Sequence, residues 1–245
     1  MKTALITGAS GGIGGAIVKK FIQNGYFVFG QYNTNEKGID VLAKEIANFG
    51  KADYFCPVKF DITKTEQIDS AVSSILKSFR HVDVLVNNAG AGLYKMVTET
   101  TTLEWDSLFN VNVKGVYYLT NKILPRMIEK KAGKIINVSS IWGNSGASME
   151  VGYSASKSAL IGYTKALAKE LAPSNINVNC VCPGVIDTAM NSRFTKCEIE
   201  QLIEETPLAR LGQPSDVAGL IYFLATEEAN FITGQNITID GGFTL

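Results

Sequence analysis

A tyrosine and a lysine four residues apart, in Tyr153-Ser154-Ala155-Ser156-Lys157, are the pair in this sequence best suited to moving a proton. On a helix that spacing places both side chains on one face, so an ammonium can lie beside a phenol. A free phenol titrates near pH ~10; a neighbouring positive charge favours the phenolate and brings the group toward the range where a general acid works well. The spacing alone is weak. A chain with 9 tyrosines yields on the order of one such pair by chance, and a second, Tyr118 with Lys122, is present. Context separates the two. Ser140 ends the strand-like run Asn137-Val138-Ser139-Ser140, 13 residues before Tyr153, and strand ends face the ligand crevice of an open α/β sheet. Tyr118 reads instead as a packed residue within a long helix. His81 is the only histidine, which argues against a Ser-His-Asp triad and against a metal site built on several histidines; no metal is expected.

The second constellation is Thr7-Gly8-Ala9-Ser10-Gly11-Gly12-Ile13-Gly14, directly after the first strand-like run and leading into a helix. Glycines let such a turn tighten and let backbone approach a pyrophosphate, while the helix N-terminus offers N–H groups and a favourable dipole. A glycine cluster can also be no more than a tight turn. Its place in the first strand-to-helix turn of an alternating chain is what points to dinucleotide binding.

The elements that must position these residues follow from periodicity. Strands are predicted over 4–7, 26–32, 52–60, 82–87, 133–139, 176–182 and 236–240, and helices over 13–24, 36–48, 64–79, 103–130, 151–171 and 214–225. Strands separated by helices need crossover connections, so the expected fold is a single-domain α/β, Rossmann-type doubly wound, mostly parallel seven-stranded sheet with helices on both faces. Residues 191–206 fit the alternation least well, and a substrate lid is expected over about 188–210. The 245 residues carry 23 basic and 23 acidic side chains, a balance that gives no electrostatic reason to expect nucleic acid or a membrane as partner. No signal peptide or membrane span is legible at the start or elsewhere, and the four cysteines, Cys56, Cys180, Cys182 and Cys197, lack paired spacing, so a reducing cytoplasm is expected.

Taken together these motifs resemble the short-chain dehydrogenase/reductase family over essentially the whole chain. The cofactor glycines of that family match Gly8, Gly12 and Gly14, with Ser10, Gly11 and Ile13 between them. Asp61-Ile62 corresponds to the adenine contact, Asn87-Asn88-Ala89-Gly90 to the segment beside the cofactor, and Pro183-Gly184-Val185-Ile186-Asp187-Thr188 to the nicotinamide cradle. The resemblance implies that Tyr153 protonates a carbonyl oxygen as hydride arrives and that Ser140 bonds the same oxygen. It also implies that Lys157 holds the cofactor ribose, and that Asn112 of Asn110-Val111-Asn112-Val113-Lys114-Gly115 anchors a proton-relaying water. Cofactor choice turns on the end of the second strand, where an acid would bind the ribose of NAD and repel the phosphate of NADP. Gln31-Tyr32-Asn33-Thr34-Asn35 has none; Asn33, Thr34 and Asn35 offer donors and Lys37 a counter-charge, so NADP(H) is expected. Gly11 stands where many NADP-using relatives carry a basic residue.

Within the family, the ending from Thr206-Pro207-Leu208-Ala209-Arg210-Leu211-Gly212 to Asp240-Gly241-Gly242 resembles 3-oxoacyl-[acyl-carrier-protein] reductases, which implies a carrier-bound ketone, fatty acid biosynthesis and a homotetramer. Lys130 and Lys131 would suit an acidic carrier, whereas Ser174 stands where some members have arginine. The run from Ser139 through Trp142 and Glu150 to Val151 is similar instead to the elongation factor P 5-aminopentanone reductases. Substrate contacts are expected from Ser140, Trp142, Glu150 and Tyr153. Glu150 would suit a cationic amine, or would merely cap the following helix or face solvent. A catalytically silent NADP-binding regulator is the alternative of another class, and it gives no reason to keep the four catalytic residues.

Overall fold

Alternation within the strands decides how the layers stack. In the computed structural model, which describes residues 1–192 and 194–245 and the backbone alone of Met190, the strands are β1 (Thr3–Ile6), β2 (Phe27–Tyr32), β3 (Phe55–Lys59), β4 (Val84–Asn87), β5 (Gly133–Val138), β6 (Ile176–Pro183) and β7 (Asn236–Ile239). They form a 7-stranded sheet in the order β3-β2-β1-β4-β5-β6-β7. Every pairing is parallel, so the sheet is wholly rather than mostly so. The helices are α1 (Gly12–Gln23), α2 (Glu36–Asn48), α3 (Thr65–Ser78), α4 (Thr102–Phe109), α5 (Val116–Lys130), α6 (Trp142–Ser145), α7 (Val151–Leu171), α8 (Lys196–Glu205) and α9 (Pro214–Ala225).

Successive strand residues point to opposite faces, and both faces are apolar. Ala4, Ile6, Val84, Val86, Ile136 and Val138 pack with Ile17 and Phe21 of α1, Ile39 of α2 and Val217 and Ile221 of α9. Leu5, Leu85 and Ile135 pack on the other face with Ile68 of α3, Leu119 and Ile123 of α5 and Leu167 of α7. Each fully buried side chain of this size contributes about 1.5–3 kcal/mol, so the strand ends that carry the site rest on a stiff base. The chain departs to opposite sides of the sheet from β1 and β4, which are neighbours, and that switch point opens the crevice.

The structure corrects the reading of 103–130 as one regular helix. Residues Asn110–Gly115 between α4 and α5 are a π-helix. Two tertiary contacts accompany it: Asn112, wholly buried, turns its amide away from the helix to bond the loop after β4, and Gly115 passes so close to Ile62 that a Cβ there would lie 2.6 Å from the Ile62 carbonyl oxygen. The short α6 was not anticipated, and residues 191–206 contain α8, closed by a capping box in which Thr195 Oγ1 accepts from Glu198 N–H and the Glu198 carboxylate accepts from Thr195 N–H at 2.7 Å. The 3-10 turn over 52–54 takes the place of the first residues expected in the third strand. The ends of the expected lid are pinned together, because Asp187 N–H donates to Gly212 O at 2.8 Å and Gly212 N–H to Val185 O at 3.0 Å. Arg193, within that lid, lies outside the described residues.

Candidate active site

The glycine turn owes its shape to close approach. Gly8 has φ +68°, and a Cβ on Gly14 would stand 2.0 Å from the Gly8 carbonyl oxygen, so neither position accepts a side chain without a rearranged turn. Gly11 precedes α1 without any side-chain cap, leaving first-turn N–H groups for an anion. Thr7 Oγ1 accepts from Asn88 N–H and Ala89 N–H, both at 2.9 Å, while Asn88 Nδ2 donates to Thr7 O at 2.8 Å, so the loop after β4 is stitched to the turn after β1.

A cleft of about 830 Å³ runs from this turn across the strand ends. It is lined by Gly8, Ser10, Gly11, Gly12, Ile13, Gly14, Asn33, Thr34, Asn35, Asp61, Ile62, Asn88, Ala89, Gly90, Tyr153, Lys157, Pro183, Gly184, Ile186 and Thr188, all expected to hold the cofactor, whereas Lys37, the expected counter-charge, is not among the lining residues. Side-chain-free backbone at one end and polar groups along the walls fit a dinucleotide. Asn35 is partly committed: its Oδ1 accepts from Gly38 N–H to cap α2, and its Nδ2 donates to Ser10 O at 3.0 Å. Asp61 forms a turn rather than a helix cap, accepting from Thr63 N–H and Thr63 Oγ1, each at 2.8 Å. The sequence reading missed Gln31. Buried in β2, its Oε1 accepts from Gly8 N–H at 2.9 Å and its Nε2 donates to Phe60 O at 2.6 Å, bracing the glycine turn against the segment that follows β3. An amide in the middle of an apolar strand was the available signal.

At the other end Ser140, Trp142, Glu150, Tyr153 and Lys157 line the same cleft. Ser140 lies just past β5, and its Oγ accepts from Trp142 N–H at 3.2 Å. Lys157 donates from Nζ to Val138 O at 2.9 Å and stands 5.6 Å from the centroid of the Tyr153 ring. Burial brings its ammonium down from 10.5 to about 8. Asn112 does not line the cleft. It stands behind it, with Oδ1 accepting from Ala91 N–H at 2.8 Å and Nδ2 donating to Ala91 O and to Ser156 Oγ, each at 2.9 Å. Ser156 in turn donates to Tyr153 O at 2.8 Å, which links the π-turn to the tyrosine-bearing helix. A Cβ on Gly90 would fall 3.2 Å from Lys157 Nζ and 3.4 Å from Asn112 Oδ1, so Gly90 stands between the two.

Glu150 occupies the cap position of α7 but makes no side-chain capping bond, and at 7% exposure it does not face solvent. Tyr94, Phe194 and Leu202 also line the cleft; their types gave no functional signal in sequence. The second tyrosine-lysine pair is separate: Tyr118, half-buried and packed against the core as expected, bonds the Asp69 carboxylate at 3.0 Å, and Lys122 bridges the same group at 2.8 Å. All four cysteines are free, and Cys180 and Cys182 pack with Ile161 beneath the site.

A parallel doubly wound sheet with a glycine turn at its switch point and a serine, tyrosine and lysine sharing the adjoining cleft defines a nicotinamide-dependent oxidoreductase acting on carbonyl or hydroxyl groups. The chain belongs to the short-chain dehydrogenase/reductase family: a family model described as enoyl-(acyl carrier protein) reductase matches residues 8–244. Among individual relatives, the uncharacterized oxidoreductase YmfI of Bacillus subtilis (strain 168) is 40% identical over 243 residues, covering 99% of this chain and 98% of that protein. The 3-oxoacyl-[acyl-carrier-protein] reductase FabG of Thermotoga maritima is 40% identical over 245 residues, covering 100% of this chain and 98% of its own length. FabG of Staphylococcus epidermidis is 35% identical over 244 residues, covering 100% of this chain and 99% of its own length.

Proposed function

We propose that the protein is an NADPH-dependent 3-oxoacyl-[acyl-carrier-protein] reductase working in the cytoplasm as a homotetramer. The observation that carries the reading is the convergence of Ser140, Tyr153 and Lys157 on one cleft that ends at the Gly8–Gly14 turn. Bound NADPH would supply the hydride. Tyr153 gives a proton to the carbonyl oxygen, Ser140 donates a hydrogen bond to that oxygen, and the Lys157 ammonium favours the phenolate left behind and bonds the cofactor ribose. Asn112 and Ser156 hold the tyrosine helix in register. Asn33 and Thr34, in a stretch from Gln31 to Asn35 that holds no acid, favour the 2′-phosphate, and the nearby Glu36 carboxylate is paired with Lys59. Substituting Asn33→Asp should shift kcat/KM toward NADH, because a carboxylate repels that phosphate; unchanged preference would overturn the NADP assignment. The names of the Thermotoga and Staphylococcus relatives supply the acyl-carrier substrate.

One observation favours a second reading, reduction of an amino-ketone such as the 5-aminopentanone group on elongation factor P. Glu150 is a carboxylate buried in the substrate end of the cleft, where it suits a cationic amine better than a neutral thioester. NADPH oxidation measured with a 3-oxoacyl thioester, the corresponding enoyl thioester and an amino-ketone tests both. Preference for the 3-oxoacyl thioester, with KM indifferent to Glu150→Gln, supports the first reading. Preference for the amino-ketone, with a KM raised by Glu150→Gln, supports the second. Turnover of the enoyl thioester alone overturns both.

A further inference from the structure

Beyond β7 the chain reverses sharply. Gly241 and Gly242 both have positive φ, +68° and +89°, a consecutive pair that side-chain-bearing residues adopt only with strain. The Asp240 carboxylate fastens the turn, accepting from Gly242 N–H at 3.0 Å, Thr244 N–H at 2.9 Å and Thr244 Oγ1 at 2.6 Å. The reversal returns Phe243 onto Trp142, edge to face, with ring centroids 6.0 Å apart at 78°. Trp142 lines the cleft, and its backbone N–H donates to Ser140 Oγ. The same turn holds the end of the lid: Leu208 N–H donates to Gly241 O at 3.1 Å, and Thr206 and Pro207 lie so close that Cβ atoms on Gly241 and Gly242 would meet them at 2.8 Å and 3.0 Å.

We infer that the hook formed by Asp240–Leu245 shapes the substrate end of the cleft, with Phe243 a positioning residue that fixes the Trp142 wall beside Ser140 and thereby determines which ketones fit. Phe243 is not among the residues that line the cleft. It acts through Trp142, while Gly241 ties the returning lid segment to the same turn, so the wall and the lid are referenced to one point. This rests on the reading that a ketone binds beside Ser140; its acyl-carrier identity is not needed.

The test has an arm independent of substrate. In a Trp105→Phe background, where Trp142 is the sole tryptophan of the original 2, Phe243→Ala should red-shift the emission and raise acrylamide quenching. In kinetics with whichever ketone the wild type reduces fastest, Phe243→Ala should raise the ketone KM roughly fivefold or more while kcat at saturation and NADPH Kd stay within about twofold. Phe243→Tyr should restore both readouts, and Asp240→Asn, which loosens the turn without touching either ring, should move KM the same way by a smaller factor. Unchanged Trp142 emission and ketone KM in Phe243→Ala would overturn the inference. So would a parallel loss of kcat, NADPH affinity and thermal stability that Phe243→Tyr does not rescue. Failure of the 3-oxoacyl thioester as a substrate would count against the proposed function alone, because the kinetic arm follows the preferred ketone.

Discussion

Tyr153 and Lys157 share the cleft, but only the lysine weighs on the stability of the fold. Tyr153→Phe removes only a hydroxyl, so it should lower kcat about 10²-fold or more through loss of acid catalysis while leaving NADPH affinity nearly intact; Tyr118→Phe, outside the cleft beside Asp69, should be mild. Lys157 is costly to the fold. Burial lowers its ammonium from 10.5 to about 8, so near neutrality the folded protein holds a charge it would bind more weakly than the unfolded chain does. Between pH 8 and 10.5 the unfolded state carries the extra proton, and stability from this group rises with pH across that window, the reverse of a lysine held by a carboxylate. Below pH 8 the penalty is complete, on the order of 3 kcal/mol at about 1.4 kcal/mol per pH unit. Lys157→Met should therefore abolish ketone reduction and yet stabilise the protein at pH 7, by about 1–2 kcal/mol after loss of the bond to Val138 O. Urea unfolding at pH 7 and at pH 10 checks it: the gain should shrink at the higher pH, and a destabilised Lys157→Met at pH 7 would refute the argument.

At the scale of elements, the decisive feature is the π-turn between α4 and α5, because it alone brings Asn112 to the loop after β4. Asn112→Ala strands the Ala91 N–H and O and one partner of Ser156 in a buried place, so it should cost about 2–4 kcal/mol and loosen α7 enough to depress kcat as well; chemical denaturation with parallel turnover measurements reads both. The long helix was legible in the apolar periodicity of 103–130, and Asn112 in its spacing from Gly115. The π-turn was not, because nothing in local propensity distinguishes an asparagine that faces water from one that bonds a distant loop. The cofactor end was legible for a similar reason inverted: Gly8 and Gly14 are required by backbone crowding that any sequence in this turn must meet. Gln31 escaped because its two bonds reach Gly8 and Phe60, partners set by the sheet order. The helix α8 was readable from Thr195 and Glu198 but buries none of its side chains among the described residues, so the hydrophobic pattern gave nothing to find. Glu150 shows the limit most clearly: its place in the sequence allows a substrate contact or a helix cap, and only the tertiary structure, which takes it into the cleft without a side-chain capping bond, separates the two.

For the whole molecule, charge and exposed apolar surface point in different directions. With 23 basic and 23 acidic residues the surface has no net field to hold copies apart. Two separate faces expose large apolar side chains. One carries Leu103 of α4 with Tyr117 and Ile128 of α5, and the other carries Phe223 of α9 with Phe231, whose side chain is fully exposed. Isolated exposed hydrophobes are ordinary, but the proposed homotetramer needs contact surfaces, and these exposed residues are the candidates. Two distinct self-complementary faces generate a closed tetramer, whereas one would stop at a dimer. Light scattering should therefore give a mass of about four times the 26.5 kDa chain. Introducing a charge on either face, Tyr117→Glu or Phe223→Glu, should reduce it to about twice that mass, since each variant leaves the other face able to pair. A wild-type monomer, or variants that retain the tetramer, would show that these faces do not build the assembly.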